Sequence, residues 1–482
     1  MIDGRILPCI LLLSFLFNAV YSLPTTINRK GDQFALENSM KKDDLMGHLK
    51  VLQGFADNNG GNRLVGTKGH IDTLEYIKKS VTEFGYQVQL QEIKLLRNDS
   101  LEHSLSITVD GKEQVFETRQ INGSPSTSQQ GISATLVAVE NLCGPIQQQQ
   151  QQQQPWIAVI QRGQCTLAEK AALAQQSGAA AALIYTGNAS HTSAFDDYSG
   201  FHSTLPTGIL TGNSSSSVLA AIQQSPKLRT QLRMVHRTVP VTTYNIIAET
   251  KAGNKSNVVM IGAHTDSVLE GPGINDDGSG VAALLELSRH LDQTKVANTV
   301  RFSWWTAEEE GLIGSTGYVD SLTTQQKHAI AVYLNADMIA SPNYVNMVYD
   351  GNESNPPPGF SAAPHGSKSI QLAFERYFDE TEQHHQVLGY DVVAADSDAG
   401  PFYKASIPAG GLSTGFSYIK TKQEEEDYGG KEGVAHDPCY HTACDTIKNA
   451  NPNGLLIHSR AYAHILEMYS QSTASILESA PN

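Results

Sequence analysis

Val258-Val-Met-Ile-Gly-Ala-His-Thr-Asp-Ser267 and Gly271-Pro-Gly-Ile-Asn-Asp-Asp-Gly-Ser-Gly280 together decide the fold of this chain. The first six residues are apolar and rich in β-branched side chains, which predicts a strand buried on both faces. His264 ends this run, Asp266 follows, and a loop with glycine and proline then presents residues 275–277 before a predicted helix. Open α/β sheets bind ligands at this end of a strand, and histidine with carboxylates suits a metal such as zinc.

The rest of the chain after Tyr244 alternates between predicted strands and helices. Apolar runs predict strands at residues 258–263, 299–305, 332–335 and 409–414, and helices at 278–290, 315–321 and 370–377. Upstream, residues 43–55 and 70–84 have helical spacing, and residues 86–93 alternate as in a strand. This order predicts an α/β fold, a three-layer α/β/α sandwich with a mainly parallel mixed sheet.

Length and charge limit the classes of function. The chain has 482 residues, which is enough for two or three domains, and a net charge of -15. Since no basic excess is present to meet phosphates, nucleic acid is not expected as a partner.

The N-terminus has the pattern of an export signal. Arg5 precedes an apolar run over residues 6–20, and Val20 and Ser22 are small residues at the expected cleavage positions. The apolar run is short for a membrane span, although a signal anchor is the open alternative. We therefore predict a signal peptide at 1–22, no membrane span after cleavage, and a secreted or vacuolar/lysosomal protein. Residues 23–39 are polar and predict a flexible tail or a short pro-segment.

Cysteines and glycosylation motifs agree with export. Cys9 would leave with the signal peptide, and four cysteines remain. An even count in an exported chain predicts two disulfides, which we expect to join Cys143 to Cys165 and Cys439 to Cys444. Six Asn-x-Ser/Thr triplets are candidate glycosylation sites, at Asn98, Asn122, Asn188, Asn213, Asn254 and Asn352.

The composition changes after about residue 101 to short strand-like runs, such as 134–139 and 156–160. Eight glutamines at 147–154 interrupt this region and predict an expanded surface loop. The segment resembles the protease-associated domain, a small β-rich insert, on the runs Ile157-Ala-Val-Ile-Gln-Arg-Gly-Gln-Cys165, Glu169-Lys170 and Gly178-Ala-Ala-Ala-Ala-Leu-Ile184. The resemblance covers residues 114–239, which divides the surrounding domain into residues 40–113 and 240–482. Such an insert is expected to shape access to a site without being catalytic.

Further acidic and histidine residues follow other predicted strands. Glu308 and Glu309 follow the strand at 299–305, and Asp337 follows the strand at 332–335. Near the C-terminus, Tyr440 and His441 lie between two cysteines that would pin them if bonded. One His-x-Asp motif is weak evidence, but polar residues after successive parallel strands converge at one sheet edge and together predict a metal site.

These motifs closely resemble the aminopeptidase Y and secreted bacterial leucine-aminopeptidase family, which are two-zinc exopeptidases. The resemblance covers nearly everything after the signal peptide. The matching runs are Ala263-His-Thr-Asp-Ser267, Gly271-Pro-Gly-Ile-Asn-Asp-Asp-Gly-Ser-Gly280, Trp304-Trp-Thr-Ala-Glu-Glu309, Gly311-Leu-Ile-Gly-Ser315, Asn335-Ala-Asp-Met-Ile339, Ile407-Pro-Ala-Gly-Gly-Leu412 and Asp437-Pro-Cys-Tyr-His441.

The resemblance implies two zinc ions per chain, held by five side chains. Asp276 would bridge the two ions, His264 and Asp337 would complete one site, and Glu309 and His441 would complete the other.

Three further residues receive roles from the same resemblance. Glu308 would be the general base, which moves a proton to the leaving amine while the two ions activate water. Asp266 would orient His264, and Tyr440 would donate to the oxyanion.

The substrates would be peptides with a free N-terminus, whose ammonium group the carboxylates attract. The resemblance also implies a preference for apolar N-terminal residues. A monomer is expected.

Residues near the motifs are assigned structural or solvent-facing roles. Asp277 could be a ligand, but loop geometry is the preferred interpretation. Glu310, where the family usually has leucine, is interpreted as a solvated charge, His436 as a rim residue, and residues 424–427 as a solvated loop. Trp304 and Trp305 are expected in the core.

Three alternative functions remain open. A carboxypeptidase of the same superfamily needs basic residues for a terminal carboxylate, and no such cluster lies near the motifs. A glutaminyl cyclase would use one zinc ion, whereas this chain has all five ligands for two. A non-catalytic receptor or binding protein should lack ligands or the base, and none is missing.

Overall fold

The computed structural model describes residues 35–109, 111–121, 123–139, 155–161, 167–185, 203–210, 212–225, 228–352, 362–395 and 397–478. Five predicted features lie outside these ranges: the signal peptide, the glutamine tract, both cysteines of the Cys143–Cys165 disulfide, Asn122 and Asn188. Asn213 lies within α5, but its side chain is not described. Among the other candidate glycosylation sites, Asn254 and Asn352 are exposed, and Asn98 is partly buried.

The helices and strands follow one another in this order along the chain. The helices are α1 (Ala35–Ser39), α2 (Lys42–Asp57), α3 (Lys68–Glu83), α4 (Leu167–Gln176), α5 (Gly212–Gln224), α6 (Gly278–His290), α7 (Ile313–Ser321), α8 (Thr324–Ala329), α9 (Ser367–Glu380), α10 (Tyr390–Ala395), α11 (Ala399–Lys404), α12 (Lys422–Tyr428), α13 (Pro452–Gln471) and α14 (Ala474–Glu478). The strands are β1 (Gln87–Val109), β2 (Lys112–Gln120), β3 (Ile132–Val139), β4 (Trp156–Gln161), β5 (Ala181–Tyr185), β6 (Thr207–Leu210), β7 (Arg229–Glu249), β8 (Asn254–His264), β9 (Asn298–Trp305), β10 (Ile330–Ala336), β11 (Met347–Tyr349), β12 (Gln386–Leu388) and β13 (Ala409–Ser413).

The peptidase-like part is built on a mixed sheet in the order β7-β9-β8-β10-β13-β11-β12. The four strands β9, β8, β10 and β13 are parallel neighbours. At the two sides, β7 runs antiparallel to β9, and β11 runs antiparallel to β13 but parallel to β12. On β9, Trp304 packs into one hydrophobic core and the next residue, Trp305, packs into another. Because successive side chains of a strand point to opposite faces, the sheet has a core on each side. This confirms the predicted three-layer α/β sandwich.

The two cores are covered by helices of different character. On one side, α2 presents a single apolar face through Leu45, Leu49 and Leu52, as its helical spacing predicts. Beneath it, α6 is buried from Gly278 to Ser288, so it forms the interior of that layer. On the other side, α7, α10 and α11 supply the core around Trp305.

The insert is a closed ring of strands in the order β1-β2-β6-β5-β4-β3-β7, with β7 pairing again with β1. β1 is much longer than the strand predicted at 86–93. It pairs with β7 from Gln87 opposite Glu249 to Thr108 opposite Arg229. The predicted borders after residues 113 and 239 therefore fall inside β2 and β7, and these borders remain a prediction. Because β7 pairs with β1 and also with β9, the ring and the mixed sheet share this strand.

The end of the predicted tail is ordered in the fold. Leu36 is 3% exposed, and its backbone N–H donates to Glu467 Oε2 at 3.2 Å. Glu37 Oε2 lies 3.1 Å from His464 Nδ1 on the same helix, α13. The flexible-tail prediction is therefore wrong for these residues, because apolar burial and hydrogen bonds fix them against α13.

Among the described residues, no helix is both long and apolar enough to cross a bilayer.

Candidate metal centre and active site

The strand ends bring the predicted residues together. β8 ends at His264, β10 ends one residue before Asp337, and β9 ends three residues before Glu308. Because β8 lies between β9 and β10 in parallel register, these three ends meet at one edge of the sheet. Glu309 directly follows Glu308, and the loops before α6 and after α12 supply Asp276 and His441.

Asp276 lies between the two histidines of the site. Its Oδ1 is 3.0 Å from His264 Nε2, and its Oδ2 is 3.0 Å from His441 Nε2. Asp337 Oδ1 lies 3.7 Å from His264 Nε2, and Glu309 Oε2 lies 3.2 Å from His441 Nε2. The five predicted metal ligands therefore form one contiguous cluster, with one carboxylate facing both imidazoles.

Two groups of side chains among the described residues could each hold a metal ion, because their donor atoms lie within 4.8 Å of one another. One consists of His264, Asp276 and Glu309, and the other of His264, Glu308 and Asp337. Their membership differs from the predicted division, because Glu308 joins one group and His441 belongs to neither.

Two buried oxygens of the cluster fit a cation. Glu309 Oε1 and Asp337 Oδ1 are buried and have no hydrogen-bond partner among the described residues. A buried oxygen without a partner is costly, and bound Zn²⁺ would satisfy both atoms.

The electrostatics of the cluster also fit a cation. Burial raises the pKa of Glu309 to about 7 and the pKa values of Glu308 and Asp337 above their ordinary range. Burial alone would lower the pKa of His264, but the carboxylates of Glu308, Asp276 and Asp337 raise it well above its ordinary value. The site therefore gathers several buried carboxyl groups, whose ionised forms a divalent cation would stabilise.

Asp266 lies beside both His264 and the two glutamates, and its role in orienting His264 remains a prediction. Its carboxylate accepts hydrogen bonds from the backbone N–H groups of Glu308, at 3.2 Å, and Glu309, at 3.3 Å. His264 Nδ1 lies 3.2 Å from the backbone oxygen of Asp266 but 3.9 Å from its carboxylate. The main chain therefore faces the imidazole, and the carboxylate holds the two glutamates in place.

Asp277 supports the loop before α6. Its carboxylate accepts from the N–H of Gly280 at 2.8 Å, which caps α6, and from the N–H of His264 at 3.1 Å. These contacts agree with the preferred interpretation of Asp277 as a residue of loop geometry.

The loop that carries His441 is fixed by covalent and polar contacts. The predicted disulfide between Cys439 and Cys444 is present, with a Cα–Cα distance of 5.2 Å. Asp445 Oδ1 and Oδ2 accept from the N–H groups of Asn275, at 2.9 Å, and Asp276, at 3.1 Å. Asp445 thus ties the His441 loop to the loop that carries the shared carboxylate.

Tyr440 packs beside its neighbour in this loop. Its ring stacks on the His441 ring at a centroid distance of 3.8 Å and lies 5.9 Å from the ring of Phe416. Its predicted role as a donor to the oxyanion remains a prediction.

Asp337 is held by a chain of hydrogen bonds from the core. Trp305 Nε1 donates to the hydroxyl of Tyr333, which donates to Asn335 Oδ1, each at 2.8 Å. Asn335 Nδ2 donates to Ser397 Oγ, which donates to Asp337 Oδ2, each at 2.7 Å. Oδ2 is thereby engaged, and Oδ1 is left to face His264.

Two predictions near the site are wrong. His436 is 1% exposed, so it is a buried residue and not a rim residue. Its Nε2 lies 3.4 Å from Glu424 Oε1, and the Glu424 side chain is 12% exposed. Residues 424–427 belong to α12, whose capping box pairs Thr421 with Glu424. The cap orders this segment, so that it is not a solvated loop.

Sequence reasoning missed three buried residues of this edge. Asp445 lies directly after the quoted Cys444, and two cysteines near a ligand could have drawn attention to it. Ser397 and Arg63 carry no comparable signal, because a serine or an arginine in a loop usually faces solvent. Their roles depend on partners that are distant in sequence.

Comparison with known proteins places the chain in a family. Peptidase family M28 matches residues 245–466, and the PA domain matches residues 132–217. The chain is 36% identical over 441 residues to leucine aminopeptidase 2 of Trichophyton rubrum, covering 91% of this chain and 86% of the relative. It is also 36% identical over 452 residues to an aminopeptidase of Pseudomonas aeruginosa, with 91% and 82% covered.

A solved structure supports the fold. The zinc aminopeptidase of Bacillus subtilis has a TM-score of 0.63 to this chain at 24% identity, covering 89% of this chain and 95% of that one. At 24% identity this likeness supports the fold alone. The family is shown by the two relatives that are 36% identical over more than nine tenths of this chain. The chain therefore belongs to peptidase family M28, among the aminopeptidases of that family, and carries a PA domain.

Proposed function

We propose that this protein is an exported two-zinc aminopeptidase that removes single residues from the free N-terminus of peptides. The observation that carries the proposal is the Asp276 carboxylate, whose two oxygens each lie 3.0 Å from a histidine nitrogen. Glu309 and Asp337 extend this arrangement on opposite sides, as two adjacent metal positions would require. We assign His264, Asp276 and Asp337 to one ion, and Asp276, Glu309 and His441 to the other.

The chemistry follows from the neighbouring residues. Bound zinc would supply a polarised peptide carbonyl and a water of lowered pKa. Glu308 is the group that accepts the proton and delivers it to the leaving amine, because it lies in the cluster but outside the five assigned ligands. Tyr440 is proposed to donate to the developing oxyanion, and the carboxylates attract the substrate ammonium.

Substrate preference and location are part of the proposal. The names of the fungal relatives, leucine aminopeptidase 2, support an apolar N-terminal residue. The Cys439–Cys444 disulfide and the signal-like N-terminus support an oxidising, exported environment. A non-catalytic binding protein is disfavoured because all five donors and the base lie in the cluster.

Metal analysis together with a substrate panel tests the proposal. Purified protein should contain two zinc ions per chain, lose activity to a chelator and regain it with zinc. It should hydrolyse leucine p-nitroanilide but neither an N-acetylated analogue nor a peptide blocked at its N-terminus. Full activity with one tightly held metal ion would contradict the two-zinc assignment, and cleavage from the carboxyl end would contradict the aminopeptidase assignment.

A further inference from the structure

Arg63 is a fully buried arginine in the loop between α2 and α3, and it lies against the loop that carries the shared carboxylate. Its relative exposure is 0%. Nε donates to the carbonyl oxygen of Pro272 at 2.9 Å, Nη1 donates to that of Thr265, and Nη2 to that of Gly273. These three guanidinium contacts all go to main-chain oxygens.

The main chain of Arg63 adds two contacts to the same loop. Its N–H donates to Ser267 Oγ at 2.9 Å, and its carbonyl accepts from the N–H of Ser267 at 3.3 Å. The preceding residue, Asn62, donates from Nδ2 to the carbonyl of Leu269 at 3.1 Å. Residues 62–63 therefore contact the loop along most of its length, from residue 265 to residue 273.

The positions of the bonded carbonyls give these contacts a consequence for the metal centre. Thr265 directly follows His264, and Gly273 comes three residues before Asp276. One planar guanidinium thus bonds both Thr265 and Gly273, which lie near the two ends of the segment between His264 and Asp276. Because the N–H donors of arginine have a fixed geometry, the two ends are held at a fixed separation.

The buried charge also fits this location. Burial alone lowers the pKa of Arg63, and the carboxylates of Asp266, Asp277, Asp445 and Asp276 oppose that effect. The guanidinium therefore lies within the field of several carboxylates around the site, while its hydrogen bonds fix the backbone.

We propose that Arg63 is a positioning residue for the metal centre. It acts through the loop backbone to keep His264 Nε2 and Asp276 Oδ1 at the spacing that a shared metal ion needs. This inference rests on the proposed zinc aminopeptidase function. Arg63 precedes the inserted domain in sequence, so the first part of the peptidase domain contributes directly to the geometry of the second.

The test compares three variants of the full-length protein. Arg63→Lys keeps the charge but lacks the fork, Arg63→Met removes both, and Arg301→Met is the matched control. Arg301 is also largely buried, but it bonds Glu249 and Tyr318, and it lies four residues before the end of β9 that carries the site. The measurements are zinc affinity by chelator competition, the visible spectrum of the Co²⁺-substituted protein, and kcat and KM for leucine p-nitroanilide.

Both Arg63 variants should bind zinc about 10–100-fold more weakly than the wild type, which is the usual effect of removing a residue that supports metal ligands. Their Co²⁺ spectra should change, and kcat at limiting zinc should fall while KM stays within about twofold. Excess zinc should restore much of kcat. Arg301→Met should keep the zinc affinity and the Co²⁺ spectrum of the wild type.

Several results would overturn the inference. Wild-type zinc affinity and an unchanged Co²⁺ spectrum in Arg63→Lys would do so even if Arg63→Met fails to fold. Failure of Arg63→Lys to fold would assign Arg63 to the fold alone, and an equal loss of zinc in Arg301→Met would indicate general destabilisation. A wild-type protein without zinc or activity would instead refute the proposed function.

Discussion

The two halves of the candidate metal centre are supported in different ways. The strand-borne half consists of His264 and Asp337, which lie at or directly after the ends of adjacent parallel strands. The loop-borne half consists of Glu309 and His441, which belong to turns, and His441 has a backbone φ of 55°. Asp276 faces both halves.

This difference determines what each half needs from the rest of the molecule. The sheet ladder fixes the backbone of the strand-borne half, and one hydrogen-bond chain orients Asp337. The Arg63 contacts act on the loop that leads from this half to Asp276. The loop-borne half needs a disulfide, the Asp266 carboxylate and the Asp445 carboxylate. We therefore expect changes in supporting residues to affect the loop-borne half more strongly.

The largest expected effect is at Glu308, which supports neither half. Glu308→Gln keeps the size of the side chain and leaves the five proposed ligands intact. Zinc content should remain normal while kcat falls by about 10²–10⁴-fold, because the proton acceptor is lost, and KM should change little. Steady-state kinetics and metal analysis on the same preparation measure both quantities.

The adjacent glutamates are controls for this prediction. Glu309→Gln should lose zinc from the loop-borne half, and Glu310→Gln should be nearly silent in both measurements. If Glu310→Gln abolishes turnover and Glu308→Gln does not, the assignment of roles within the three glutamates is wrong.

The next effect tests the connection between the His441 loop and the shared carboxylate. Asp445→Asn replaces a carboxylate oxygen, which accepts from Asn275 or Asp276, with an amide that cannot accept there. Zinc affinity should fall by about 10–100-fold. Asp320→Asn, at an exposed position of α7, is the control. An unchanged affinity in Asp445→Asn would show that the loop holds its geometry without this contact.

A smaller effect is expected when the disulfide is removed. A double Cys439→Ala, Cys444→Ala variant should lose about 2 kcal/mol of folding free energy, as expected for a short closed loop. It should bind one of its two zinc ions about 10-fold more weakly, and added zinc should restore activity. Urea unfolding and zinc titration test this. Loss of stability with both zinc affinities intact would limit the disulfide to a role in the fold.

The smallest effect is expected in the strand-borne half. Ser397→Ala removes the hydrogen bond to Asp337 Oδ2 but leaves β10 in place. Zinc affinity and kcat should each change by less than about 10-fold, below the effect of Asp445→Asn. Ser177→Ala, at the end of α4 in the ring, serves as the control. A loss larger than that of Asp445→Asn would reverse the comparison between the halves.

The same comparison explains how much could be predicted from the sequence. An apolar run that ends in a polar residue is visible in the sequence, so β8, β9, β10 and the residues after them were predictable. Asp445, Ser397 and Arg63 act through hydrogen-bond partners that lie far away in sequence, and no local pattern identifies those partners. The length of β1 was also missed, because its pairing with β7 and not its own alternation keeps it extended.

The ladder between β1 and β7 has a consequence for the order in which the chain can fold. In a growing chain β1 is made well before β7, and the whole insert must follow before Gln87 can meet Glu249. Such non-local pairing is slow because loop closure precedes any gain in contacts. Until then, β1 is a strand with an unpaired edge, which is prone to wrong association. Completion of the insert therefore closes this edge of β1, and the edge of β7 then waits for β9.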